Sequence, residues 1–298
     1  MRALDTIAVD FRSGDAGMLL LTMIASAAAE PVEGEVFERT WARTDLAVLE
    51  GVSSRTWMWG PDAISEGFFE PYTEGHNSGR FVQYFDKSRM EITTDMSVPY
   101  DSEWYVTNGL LAKELITGQM QMGDNDFIDW GSAEIPAAGD VDDYYAPTYA
   151  TFWSKLYVPL DFAGLRTERI NHAGMVWDDP DLAWYGVSAY EYVPETNHRV
   201  ADVFWDFMNS DGPIYTDGHY MLWPLFDSPF YATGYPITEA YWAEVKVGGV
   251  YKDVLIQCFE RRCLTYTPGN DPGFEVEAGN IGLHYYIWRY DELPPAYE

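Results

Sequence analysis

Apolar and polar positions alternate along AYWAEVKV and VYKDVLIQCF, on either side of Gly248-Gly249. Successive side chains of a strand face opposite ways, and paired glycines supply the positive φ of a two-residue turn, so this stretch predicts a β-hairpin. CLTYT follows the turn Glu260-Arg261-Arg262 as a third strand, and GNIGLHYYIWRY reads as a closing helix. In the first half FFEPY, RFVQYF and RMEIT take the same parts, with the longer turn TEGHNSG between the first two. FERTWARTDLAVLEG and HRVADVFWDFMNSDG, ahead of the two sets of strands, read as short amphipathic helices. In the second of these Val200, Val203, Phe204, Phe207 and Met208 recur at helical spacing, with Thr196 or Asn197 as the cap.

The same pattern thus occurs twice, and at one point nearly the same words. VQYFDKSRMEIT (82–93) aligns without gaps on IQCFERRCLTYT (256–267). Gln83 matches Gln257, Phe85 matches Phe259, Asp86 matches Glu260, and Lys87 matches Arg261. The expected fold is α+β, with two diverged copies of a helix–three-stranded meander–helix unit packed with a β-rich connector. The units span 36–118 and 196–290, the connector 119–195 and a tail 291–298. In the connector, the sequence predicts a hairpin around His172-Ala173-Gly174 and a further strand.

The register has a chemical consequence. If Glu260-Arg261 is a two-residue loop, Cys258 faces Cys263 across the strands, at a separation near the lower end of disulfide geometry. A cross-strand disulfide is expected if the protein is exported; the alternative is two buried free thiols. The equivalent pair in the first segment, Tyr84 and Arg89, can meet as ring and cation. Gln83 and Gln257 stand mid-strand among apolar neighbours, either contacting a ligand between the units or bonding to backbone at the helix junction. Export is suggested by GMLLLTMIASAAAE, an apolar run ending in Ala27-Ala28-Ala29, which makes residues 1–29 a signal peptide.

RTWMWGP, VQYFDKSRMEIT, VADVFWDFMNS and the stretch from YATGYPITEAYW through GNIGLHYYIWRY resemble a group of uncharacterised exported bacterial proteins, over most of the chain after about Val36. The pattern of a Gly-Pro-type turn, a strand ending in Phe, a strand with Tyr-Thr-Pro and a Gly-containing helix start also looks like the LGFP repeat of cell-wall-associated bacterial proteins. Here YATGYPIT replaces the Leu-Gly-Phe-Pro signature, and the first copy has only Trp-Gly-Pro. The resemblance implies an extracellular or envelope location and supplies no catalytic residues.

Composition narrows the partners. A net charge of −30 argues against nucleic acid and against anionic membrane surfaces. No stretch is long and apolar enough for a membrane-spanning helix, so no membrane insertion is expected. Aromatics at 16% exceed what a core of this size needs. Trp57, Trp59, Tyr72, Tyr235 and Trp242 are candidate glycan platforms, with core packing as the competing fate. No phosphate loop, nucleophile elbow or His-Glu-x-x-His motif is present, and the histidines are scattered. Asp124, Asp126, Asp129, Asp140, Asp142 and Asp143 offer the oxygen ligands calcium prefers, without EF-hand spacing. The expected function is an extracellular, non-catalytic envelope-associated or glycan-binding protein, with cell-wall glycan as partner. The alternatives are a glycan or peptidoglycan hydrolase using paired carboxylates, for which Asp86 and Glu260 are the duplicated acids, and a structural surface-layer component.

Overall fold

The computed structural model describes residues 30–160 and 163–297, and the expected signal peptide lies outside the described residues. The chain begins with α1 (Glu35–Trp41), passes through a π-helical turn over Ala42–Leu46 and ends that rod in α2 (Ala47–Leu49). An antiparallel meander follows: β1 (Phe68–His76), β2 (Gly79–Phe85), β3 (Ser88–Ile92) and β4 (Val106–Asn108), paired in that order. The β1–β2 turn is tighter than the sequence suggests, because Asn77 and Ser78 both adopt positive φ (53° and 58°) and leave His76 paired with Gly79. After α3 (Leu111–Thr117) comes the hairpin of β5 (Gln119–Gln121) and β6 (Phe127–Asp129).

The connector hairpin around His172 is β7 (Glu168–Ile170) and β8 (Val176–Asp178). Two more hairpins flank α4 (Asp202–Met208): β9 (Ala189–Val193) with β10 (His198–Ala201), and β11 (Asp211–Thr216) with β12 (His219–Pro224). Then come β13 (Tyr241–Val247), β14 (Val250–Cys258), β15 (Cys263–Tyr266), β16 (Val276–Ala278) and α5 (Ile281–Tyr290). β7 pairs in parallel with β13, so the connector's strands complete a six-stranded sheet in the order β16-β15-β14-β13-β7-β8.

This architecture corrects the expected pair of helix–meander–helix units. The protein is β-rich, with several sheets and short helices, and its strands extend well beyond two three-stranded meanders. One cause is local. His198–Ala201 satisfies helical spacing, yet His198 and Val200 are buried and Arg199 is not, which is also a strand pattern. AYEYV offers β10 an edge to pair with, and pairing wins. The helix therefore starts later, with Ala201 at its cap position, and Asn197 instead takes a left-handed conformation (φ 58°) in the β9–β10 turn. The other cause is non-local: the β13–β15 meander offers edges on which β7 pairs with β13 and β16 with β15, and β8 follows through its hairpin with β7.

The two similar sequence segments grip each other's turns. The N–H groups of Gly282 and Leu283, orphaned at the start of α5, donate to the Asp86 carbonyl in the β2–β3 turn (3.0 and 3.2 Å). Reciprocally, the Lys113 N–H at the start of α3 donates to the Glu260 carbonyl in the β14–β15 turn (3.0 Å). Only a glycine permits the first contact, since a Cβ on Gly282 would stand 1.9 Å from the Phe85 carbonyl oxygen. The main core fills the space between them, with Val82, Tyr84, Leu115, Tyr241, Ile256 and Tyr285 among its members.

Beneath α5 lies a buried charge network. Arg89 pairs with Glu70 (2.9 Å) and Glu91 (2.7 Å), and Arg80 pairs with Glu91 (3.2 Å). Glu70 also accepts from the hydroxyls of Tyr84 (2.5 Å) and Tyr290 (2.7 Å), which ties β1 to the end of α5. On the opposite sheet Cys258 faces Cys263 and the two form a disulfide. In the matching place, Tyr84 faces Arg89, whose guanidinium lies 5.7 Å from the ring centroid.

Candidate functional site

A groove of ≈ 290 Å³ runs over the outer side of the connector, lined by Glu134, Thr148, Thr151, Trp153, Ser154 and His172. Its floor is fixed by burial on the inner side. Tyr149 and Phe152 are fully buried, three residues apart across a 3₁₀ turn, and so Trp153 is directed outward and stays 61% exposed. The strands and turns around it are held by hydrogen bonds. The Ala133 N–H donates to the Leu115 carbonyl (2.8 Å), and the Ala150 N–H to the Ala133 carbonyl (3.0 Å), hanging the segment on α3.

The polar wall is pre-organised. The Thr148 hydroxyl donates to Glu134 Oε2 (3.0 Å), and the Thr151 hydroxyl to the His172 carbonyl (2.7 Å). His172 Nδ1 meets the Ala146 carbonyl at 2.9 Å. A carbonyl only accepts, so Nδ1 carries the proton and Nε2 is the acceptor of the neutral ring. Tyr144, itself exposed, stacks on His172 at 5.9 Å and 21°. The groove thus combines an open indole, hydroxyls and one carboxylate, in a volume near the lower end for small-ligand sites. Glu134 is the only acid among its lining residues. Two-carboxylate hydrolysis needs a second acid ~5–9 Å away across the cleft, so the groove has binding chemistry rather than that reaction's machinery.

The residues singled out from sequence lie elsewhere. Trp59 and Trp242 are fully buried, the latter donating its indole N–H to the Arg166 carbonyl (2.7 Å). Tyr72 is buried against Arg80 and donates to Asp124 (2.7 Å), while Trp57 and Tyr235 keep partial exposure. Gln83 and Gln257 are fully buried and make matching bonds. Gln83 accepts from the Glu33 N–H (2.8 Å) and donates to the Pro31 and Ser65 carbonyls (2.8 and 3.0 Å). Gln257 accepts from the Ala201 N–H (3.1 Å) and donates to the Arg199 and Thr238 carbonyls (2.8 and 3.1 Å). Both side chains are saturated by backbone.

The acidic residues are likewise engaged by protein donors. Asp126 accepts from Thr73 (2.6 Å) and Asp129 from Gln119 (3.3 Å). Asp140 accepts from the Gly248 and Gly249 N–H groups (2.9 and 2.8 Å), holding the β13–β14 turn. Asp142 pairs with Lys246 (2.5 Å), and Asp143 accepts the Lys246 N–H (2.8 Å). Among the described residues, no group of three or more His, Cys, Asp or Glu is placed to hold a metal ion. Asp86 accepts from the Tyr297 hydroxyl (2.5 Å) and Glu260 from the Tyr235 N–H (3.1 Å).

A smaller cavity of ≈ 160 Å³ does gather acids, Asp101, Glu103 and Asp227, together with Arg39 and Arg43. Burial raises the pKa of Glu103. Its Oε1, however, already accepts the Asp227 N–H (3.0 Å), and Asp227 is paired with Arg43 (3.2 Å). Glu103, Asp227 and Arg43 are thus already engaged within the protein. Among the described residues, no helix is long and apolar enough to cross a membrane. Compared with known proteins, the chain matches no family model, no curated protein and no solved structure.

Proposed function

We propose that this is an exported, non-catalytic protein that binds an envelope glycan through the Trp153 groove. The observation that carries the reading is the 61% exposed indole of Trp153 set beside Glu134, Thr148 and Ser154. A sugar ring offers an apolar C–H face and a rim of hydroxyls. An exposed aromatic face covers the first, and a carboxylate with neighbouring hydroxyls answers the second. The Cys258–Cys263 disulfide suits an oxidising compartment, which supports export. The net charge of −30 disfavours polyanionic partners and leaves neutral or weakly charged polysaccharide as the fitting class.

Insoluble peptidoglycan, cellulose and chitin, each mixed with the purified protein at moderate salt, test the proposal. One of the three should deplete the protein from solution without releasing soluble sugar. Depletion by none of them would remove the glycan reading, and release of sugar would replace binding with hydrolysis.

A further inference from the structure

On another face, the end of α5 and the start of β1 border an open pocket of ≈ 380 Å³ lined mainly by rings and carboxylates, with Ser65 and Pro295. Phe68, Tyr286 and Tyr290 supply the rings; Glu30, Glu66 and Glu292 supply the acids, and no Lys or Arg is among the lining residues. The rings form one cluster. Tyr290 meets Phe68 edge to face at 6.2 Å and Tyr286 at 4.8 Å. The Tyr290 hydroxyl donates to Glu70 (2.7 Å), which holds the ring in place and makes it more electron-rich. Arg289 already lies 5.8 Å from the Tyr290 centroid and pairs with Glu70 (3.5 Å), a carboxylate it shares with Arg89.

We propose that this pocket binds a small methylated ammonium cation. Electron-rich ring faces attract cations, and quaternary ammonium groups are what aromatic cages select. Such an ion spreads its charge over methyl groups and gives up water readily, so rings can replace its hydration. A primary ammonium is compact and strongly hydrated, and rings replace its water poorly. Glu66 and Glu292 are exposed, so they set the sign of the charge at the mouth without being part of the buried core.

Choline at millimolar concentration is the probe, read by saturation transfer from the protein to its methyl protons. Transfer to the methyl group is expected, with a dissociation constant on the order of 1 mM. The neutral carbon analogue dimethylbutanol should receive none, and propylamine should bind about fivefold more weakly. Phe68→Leu keeps apolar volume but removes a ring, and should abolish the transfer. The double variant Glu66→Gln/Glu292→Gln alters exposed side chains and should weaken choline about fivefold. Absence of transfer, equal binding of dimethylbutanol or propylamine, or unchanged binding by the glutamine double variant would each overturn the proposal.

Discussion

Replacing Arg89 with methionine should destabilise the protein by about 3–5 kcal/mol, because it leaves the buried Glu70 without its main counter-charge and the buried Glu91 with Arg80 alone. Burial by itself raises the Glu70 carboxyl, but Arg89, then Arg289 and the Tyr84 and Tyr290 hydroxyls, override it and hold the pKa down to about 2. The sign of the pH effect follows. A carboxyl lowered in the fold stabilises above its unfolded pKa of about 4.3, and that stabilisation is lost as pH falls from there through about 2. The cost of Arg89→Met should therefore be largest near neutral pH and shrink as pH falls from about 4.3 through about 2, because the native protein loses over that range the stabilisation the variant already lacks. Denaturant unfolding of both proteins over a pH series measures both effects. A cost below about 1 kcal/mol at neutral pH would mean that the network adds little beyond packing.

Gln83→Leu and Gln257→Leu should each cost about 3 kcal/mol, and nearly the same amount. Each amide answers one backbone N–H and two backbone carbonyls, and leucine would strand them at about 1 kcal/mol or more apiece. The same unfolding experiment applies, joined to the glycan depletion assay. A variant that keeps its stability but loses glycan would reassign these glutamines to ligand contact. A large difference between the two costs would show that the matching bonds are not matched in energy.

The two glutamines also mark how far the sequence could be read. Where structure is set by neighbours in the chain, the reading was close. Gly248-Gly249 turns a hairpin, the Glu260-Arg261 loop places Cys258 opposite Cys263, and GNIGLHYYIWRY contains α5. Where structure is set by distant partners, it was not. Nothing within HRVADVFWDFMNSDG says that AYEYV will draw its first residues into β10. Nothing in RTERI says that it will lie parallel to β13.

The groove was harder still. Glu134, Thr148, Trp153 and His172 come from three separate stretches that meet only after the connector is hung on α3. The signal that was present is the aromatic density of YYAPTYATFW within a loop-rich region. Its inward members, Tyr149 and Phe152, leave Trp153 as the outward one, but that division needs the 3₁₀ turn to be known. The aromatics Trp59, in the Trp-Gly-Pro turn, and Trp242, in β13, sit instead where large rings do most for stability, in the core.

The central claim is that Trp153 is the glycan-contacting residue. Its direct test compares Trp153→Ala with Trp184→Ala in binding to whichever insoluble glycan depletes the native protein. Trp184 is the control because it is 89% exposed and lines no part of the groove. Trp153→Ala should weaken binding by about tenfold or more, as removal of a central aromatic contact does, and Trp184→Ala should leave it unchanged. Equal binding by the two variants would contradict the assignment of this groove.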